Sequence, residues 1–152
     1  MLELVLVLGI IAVAGTIAWP RVAALLQDTE LSAATRTLLS DIRWARLTAQ
    51  TQGRIVEMRF DPGRSLYTIN GAGHVPGRVV RLSRTLSFGS PLDPEADGVT
   101  FRDDAITFST RAGLQNSFGS VMIRTQTSLA RKITVNIAGY ASVSVWDGVQ
   151  WR

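Results

Sequence analysis

The stretch that decides the fold is ELVLVLGIIAVAGTIAWP, residues 3–20 of a chain of 152 residues. Between Glu3 and Pro20 it carries no charged side chain, and the two residues before Glu3 extend it toward the roughly 20 apolar residues that span a bilayer. A helix packed on the core of a soluble domain would show a polar face, and this stretch shows none. Residues 1–20 are therefore predicted to form the membrane-spanning half of a long helix.

Two other interpretations of this stretch stay open, a cleavable secretory signal and a plain single-pass anchor. The run from Ala12 to Ala14 matches a signal cleavage site, but no basic residue precedes the apolar run and an acid stands at its head. That acid, Glu3, is costly within lipid. It is predicted either to lie among the lipid headgroups or to pair with a cation from another chain, such as a free N-terminal amine.

Beyond Arg21 the pattern becomes amphipathic, and residues 21–53 are predicted to form the second half of the same helix. One stripe holds apolar residues at helical spacing: Ala24, Leu31, Ala34, Leu38, Ile42, Ala45 and Ala49. At 1.5 Å per residue the whole helix would be on the order of 75 Å long, so half of it must project into lipid or into a bundle of like helices. Trp44 and Leu47 fall on the polar side, where they are either ordinary exposed residues or contacts to a neighbouring subunit.

Residues 54–152 are predicted to form a β-rich globular domain. The alternation predicts strands at 54–60 and 65–69, one strand near 79–86, a pair at 106–108 and 121–123 joined across Gly113, and a last pair at 133–137 and 143–145 that turns at Gly139. One long helix followed by short antiparallel strands indicates an α+β fold, with the apolar stripe of the helix covering one face of the sheet.

Composition and motifs indicate a protein without catalytic activity, cofactor or metal. Sixteen Lys and Arg side chains against 12 Asp and Glu leave a net charge of +4, and there is no cysteine to act as nucleophile, disulfide or thiolate ligand. His74 is the only histidine, and no catalytic partner for it is implied. The acidic residues near a calcium-loop spacing meet that pattern only in part: Asp93, Glu95, Asp97 and Asp104.

Basic residues of the C-terminal third are candidates for nucleic-acid contacts. They are Arg111, Arg124, Arg131 and Lys132, and Trp146 and Trp151 supply rings that stack on bases. A DNA-binding surface and a set of solvated strand faces both fit this pattern. The second is favoured because the net charge of the chain is mild.

The opening residues Met1-Leu2-Glu3-Leu4, with Pro20 at its spacing from the glutamate, resemble the N-terminal segment of type IV pilins and type II secretion pseudopilins. Farther along, the residues from Arg43 to Ala49, and those from Ile133 to Val135 followed by Gly139, are similar to the GspH/FimT family of minor pseudopilins. The resemblance covers most of the chain.

The resemblance implies a non-enzymatic pilin-like subunit, held in the bacterial inner membrane by one helix with its globular domain in the periplasm. Such subunits are cut by a prepilin peptidase, N-methylated, and assembled with other pseudopilins or pilins through helix packing. Glu3 would neutralise the N-terminus of an adjacent subunit. The implied function is a minor pseudopilin at or near the filament tip that supports type II secretion, with secreted cargo as a further partner. The alternative is a type IV minor pilin that primes pilus assembly and binds DNA for uptake.

Two features depart from the family's pattern. The basic leader, the glycine of the cleavage site and the methylated phenylalanine do not precede Glu3 in this sequence, and we expect them upstream of Met1 in a longer reading frame. DNA-binding FimT-type pilins carry arginines just after the C-terminal glycine, whereas Gly139 is followed by Tyr140-Ala141-Ser142. The second difference favours the secretion subunit over the DNA-binding pilin.

Overall fold

The computed structural model describes residues 2–71, 77–93, 95–111, 113–115 and 118–152. One helix, α1, covers Leu2–Gln52, and its described side chains are those of Glu3 and of the residues from Leu25 onward. Gly53 follows the last helical residue, and its positive φ of 62° suits that position. The single long helix is as the sequence predicts. His74 lies outside the described residues.

Eight strands follow α1 and form two separate four-stranded antiparallel sheets, where the sequence analysis expected one. They are β1 (Val56–Asp61), β2 (Leu66–Asn70), β3 (Arg78–Arg81), β4 (Leu86–Phe88), β5 (Ala105–Phe108), β6 (Gly119–Thr125), β7 (Ala130–Val135) and β8 (Ala141–Val145). Sheet A has the strand order β3-β2-β1-β5, and sheet B has the order β4-β6-β7-β8. The helix contacts both sheets, which confirms the predicted α+β class.

The apolar stripe of α1 and the inner faces of both sheets share one core. Leu38, Ile42 and Ala45 are fully buried, as their helical spacing predicts. The two sheets meet at Phe60 of β1, whose ring centroid lies 5.8 Å from that of Phe88 in β4 and 5.9 Å from that of Phe101. These separations lie in the range preferred by aromatic pairs, so the three rings join the sheets directly.

The predicted single strand near residues 79–86 is wrong. β3 and β4 belong to different sheets and are separated by a turn in which the Leu86 amide donates to the Ser83 carbonyl at 3.0 Å. Glu30 of α1 accepts hydrogen bonds from the hydroxyl groups of this turn and holds it against the helix. Leu82 is buried in this turn, so the apolar pattern of the sequence continues from β3 to β4. The end of β3 is therefore not visible in the sequence.

The predicted pairing of residues 106–108 with residues 121–123 is also wrong, although both segments are strands. β5 pairs with β1, and β6 lies between β4 and β7. Apolar alternation identifies core-facing side chains, but both sheets face the same core, so alternation does not identify the partner strand. Ile137 lies past the end of β7 and is 71% exposed, because the chain turns where the Gly139 amide donates to the Asn136 carbonyl at 2.8 Å.

A buried polar contact holds α1 to sheet A. The Tyr67 phenol of β2 donates to Asp41 Oδ2 at 2.6 Å, and Arg78 Nη1 of β3 donates to Asp41 Oδ1 at 3.1 Å. The Asp41 side chain is only 8% exposed, so its charge is compensated by these two donors. Burial, and then the hydrogen bond to the Asp41 carboxylate, raise the pKa of the Tyr67 phenol. Tyr67 therefore stays neutral and acts as a donor.

Because its folded-state pKa is raised, Tyr67 contributes stability that is fully present below its unfolded pKa of about 10 and is lost as the pH rises beyond it. We expect the full chain in mild detergent to lose stability between about pH 9 and about pH 11.5 more steeply than Tyr67→Phe does, as measured by denaturant unfolding followed by near-UV circular dichroism. Tyr140, which is 61% exposed, provides the control, and Tyr140→Phe should keep the wild-type profile. Equal slopes for the wild type and Tyr67→Phe would contradict the assignment.

The helix stripe offers a second test with a matched pair of leucines. Leu38 is 0% exposed and Leu47 is 56% exposed on the same helix. Leu38→Ala should lower the free energy of unfolding by about 2–5 kcal/mol because it leaves a cavity in the core. Leu47→Ala should change it by less than about 0.5 kcal/mol. Denaturant unfolding of the two variants checks this, and similar losses for both would show that the stripe is wrongly placed.

Candidate functional site

The described bonds between α1 and the sheets begin about halfway along the helix. Among the described side chains, the first residue of α1 that hydrogen-bonds to the β domain is Gln27, which accepts from Thr127 at 2.6 Å. Asp28 accepts from Arg131 of β7 at 3.1 Å, and Ser32 accepts from the same guanidinium at 3.2 Å. The helix before Gln27 is roughly 40 Å long at 1.5 Å per residue. This segment is long enough for a contact outside the domain.

Both predicted assembly residues lie in this N-terminal half. Glu3 is exposed in the first turn of α1, where a carboxylate also suits the positive end of the helix dipole. Pro20 lies inside α1, and the backbone is helical on both sides of it. Counting only the described side chains, no helix is long and apolar enough to cross a membrane. The roles of Glu3 and Pro20 in assembly stay predictions.

The outer face of α1 presents exposed apolar side chains from Leu25 to Leu47. Trp44 is 47% exposed and Leu47 is 56% exposed, which agrees with their predicted place on the polar side of the helix. The sequence analysis did not single out Leu25 and Leu26, which are 68% and 62% exposed. Every seventh residue along this face is exposed: Leu26, Ala33, Ser40 and Leu47. Counting back from Leu47 in steps of seven residues would have identified this face from the sequence.

A groove of about 290 Å³ lies between the C-terminal half of α1 and sheet B. It is lined by Arg43, Arg46 and Leu47 from the helix and by Gly139, Tyr140 and Ala141 at the start of β8. The Arg46 guanidinium lies 4.0 Å from the centroid of the Tyr140 ring, a cation–π contact. The groove therefore combines apolar side chains with a basic rim.

The four predicted nucleic-acid contacts do not form one surface. Arg131 points to the core side of β7, is 18% exposed and is paired with α1 as described above. Lys132 lies on the opposite face of β7, 4.6 Å from the centroid of the Trp151 ring. Arg124 of β6 donates to a carbonyl of the turn after β4 at 3.2 Å. Arg111 is exposed in the segment that follows β5, a strand of sheet A. Two of the three guanidinium groups, those of Arg124 and Arg131, thus make contacts inside the domain.

The acidic segment after β4 uses its carboxylates on its own backbone. Asp93 Oδ1 accepts from the Glu95 amide at 3.0 Å, and Asp97 Oδ1 accepts from the Val99 amide at 3.0 Å. Within the described parts of the chain, no three His, Cys, Asp or Glu side chains lie close enough together to hold a metal ion.

Comparison with known proteins identifies relatives of the fold. No family model and no curated protein matches the chain. The minor pseudopilin EpsH from the type 2 secretion system of Vibrio cholerae aligns at 11% identity with a TM-score of 0.55, over 75% of this chain and 95% of the EpsH chain. The type IV minor pilin FimU of Pseudomonas aeruginosa aligns at 18% identity with a TM-score of 0.56, over 82% of this chain and 93% of the FimU chain. A second crystal form of FimU aligns at 16% identity with a TM-score of 0.54.

One relative belongs to a type 2 secretion system and the other is a type IV minor pilin, and both share the architecture of this chain. The alignments cover nearly the whole length of each relative and 75% and 82% of this chain, so the likeness extends over most of the fold. The resemblance stated from the sequence is thereby confirmed at the level of the fold. This chain has the pilin-like α+β fold that minor pseudopilins and minor type IV pilins share.

Proposed function

We propose that the chain is a structural, non-catalytic minor pseudopilin of a type II secretion system, which assembles through α1 into the pseudopilus at or near its tip. The observation that carries this proposal is the length of α1, about half of which precedes its first described hydrogen bond to the β domain. A domain that needed α1 only for its own core would use the part from Gln27 onward. The additional apolar length fits lipid before assembly and neighbouring helices after it.

In this proposal the helix anchors the subunit in the inner membrane, and the sheets lie in the periplasm. Glu3 would lie near the end of an apolar bundle, where an unpaired carboxylate is unfavourable. A positively charged N-terminal amine of an adjacent subunit compensates it and fixes the axial register between the two helices. The exposed face with Trp44 and Leu47 lies farther along the same helix, where the next subunit would pack.

The test uses the absence of cysteine from the chain, because single cysteines then report single contacts. Trp44→Cys and Leu47→Cys should form oxidative cross-links to other subunits in cells that carry the secretion apparatus. Val79→Cys, at a position that is 61% exposed and lies on sheet A, should form none. Glu3→Gln added to Trp44→Cys should lower the cross-linked fraction about tenfold or more, since it removes a charge pair from an apolar site.

Glu95→Gln serves as the matched control for Glu3→Gln, because Glu95 is an exposed glutamate in a loop. It should leave both cross-linking and secretion unchanged. Cross-linking at Val79 equal to that at Trp44, or full incorporation of Glu3→Gln, would contradict the proposal.

The second candidate is a minor pilin of a type IV pilus that binds DNA, and the match to FimU supports it as a fold relative. The intramolecular bonds of Arg124 and Arg131 weigh against DNA binding. We expect the full chain in detergent to show no binding to a short DNA duplex at about 50 mM salt. Fluorescence anisotropy checks this, and binding that weakens steeply toward about 200 mM salt would favour the pilin.

A further inference from the structure

The two sheets have four edge strands, and three of them are protected. β3 carries Arg78 and Arg81 at its two ends, and charged side chains are a common protection of an edge. β4 has only three residues. β5 is partly covered by the segment at 113–115, because the Gln115 amide donates to the Thr107 carbonyl at 2.9 Å.

β8 is the fourth edge, and among its described residues only the last, Val145, is covered on the outer side, by Arg152. Its sequence, ASVSV at Ala141–Val145, contains no charge and no proline. Val143 and Val145 are 38% and 44% exposed. An uncharged edge with exposed β-branched side chains is a template for another strand.

The hydrogen-bond pattern shows which groups of β8 are open. The Asn136 amide donates to the Tyr140 carbonyl, and the Trp146 amide donates to the Ala130 carbonyl, so the even-numbered residues of β8 face β7. The odd-numbered residues face outward. Val145 exchanges both of its bonds with Arg152, at 2.7 and 3.0 Å. Ala141 and Val143 remain, and their outward amides and carbonyls pair with no strand of the described chain.

The flank of α1 beside this edge is basic. Arg43 and Arg46 line the groove with Tyr140, and Arg36 lies two turns before Arg43 on the same side of the helix. The only acid of α1 beyond Leu31 is Asp41, which is buried and bonded to sheet A. A ligand on the β8 edge at Ala141 and Val143 would therefore meet several positive charges, and the helix beyond Leu31 offers it no exposed carboxylate.

We propose that the β8 edge and the arginine flank of α1 bind an extended acidic segment of a neighbouring subunit by strand addition. Main-chain bonds at Ala141 and Val143 hold the segment as a fifth strand of sheet B, while its carboxylates face the arginines and an apolar side chain enters the groove beside Leu47. The inference that the acidic segment comes from a neighbouring subunit rests on the proposed assembly role. DNA fits the charge but makes no use of an open strand edge or of two exposed valines, so the peptide is the better occupant.

The experiment measures binding of a defined probe to the full chain in detergent. The probe is a fluorescein-labelled heptapeptide of alternating glutamate and valine with blocked ends, and the control peptide replaces each glutamate by lysine. We expect saturable binding of the acidic peptide and none of the basic one. Amide hydrogen exchange at Ala141 and Val143 should slow when the acidic peptide is bound.

Two variants separate the backbone contact from the charge contact. Val143→Pro removes the outward N–H donor of residue 143 and the main-chain hydrogen bond that it would make to the peptide. It should weaken binding about tenfold or more, whereas Val79→Pro on the edge of sheet A should not. Arg36→Glu with Arg43→Glu leaves the backbone intact and should abolish binding of the acidic peptide. The same exchange at Arg64 and Arg81 should not affect it. The charge variant keeps the test decisive even where a proline disturbs β8.

Three results would overturn the inference: no binding of the acidic peptide, equal binding by Val143→Pro with a native unfolding profile, or competition by a short DNA duplex at equal affinity. Failure here is distinct from failure of the proposed function. A chain that cross-links through Trp44→Cys but binds no peptide refutes only the strand addition. A chain that binds the peptide but never cross-links refutes only the assembly role.

Discussion

The packing of one stripe of α1 against two separate sheets is the contact on which the rest of the structure depends. Neither sheet has a second covering layer of its own among the described elements, so each buries its inner face against the helix and against the other sheet. Leu38 and Ile42 lie where the two inner faces meet the helix and are fully buried. Loss of the helix would expose both sheets at once, and for this reason the domain and the helix form one folding unit.

Polar contacts then determine where along α1 each sheet sits. Arg131 bonds to Asp28 and Ser32 and holds sheet B near the middle of the helix. The buried carboxylate of Asp41 holds sheet A about three turns farther along. Apolar packing alone tolerates sliding along a stripe of similar residues, whereas paired charges at two levels fix one position. The length of helix left before these contacts is therefore set by a few polar residues.

Much of this architecture can be predicted from the sequence because helical spacing and strand alternation are local signals. The single helix, its buried stripe and the exposure of Trp44 follow from them. The division into two sheets does not follow from these signals. Alternation shows which side chains of a strand face the core, and both sheets face the same core. The turn at Ser83 was hidden for the same reason, because the buried Leu82 continues the pattern across it.

The surfaces were less predictable than the fold, because their chemistry depends on which polar groups the tertiary structure already uses. The four basic residues of the C-terminal third suggest a shared patch when only the sequence is considered. In the structure, Arg131 forms an ion pair with the helix and Lys132 lies on the opposite face of β7. The open edge of β8 is likewise a property of topology. The segment alternates like its neighbours, and only the strand order shows that nothing described follows it in the sheet.

The bonds between α1 and sheet B also determine how the domain carries a mechanical load. A pull along the axis of α1 would strain the contacts of Gln27, Asp28 and Ser32 together, because all three lie within about two turns and cross from the helix to β7 and the turn before it. Bonds strained together share a force, whereas bonds opened in sequence bear it one at a time. A domain built in this way is suited to transmit axial force between its helix and its sheets.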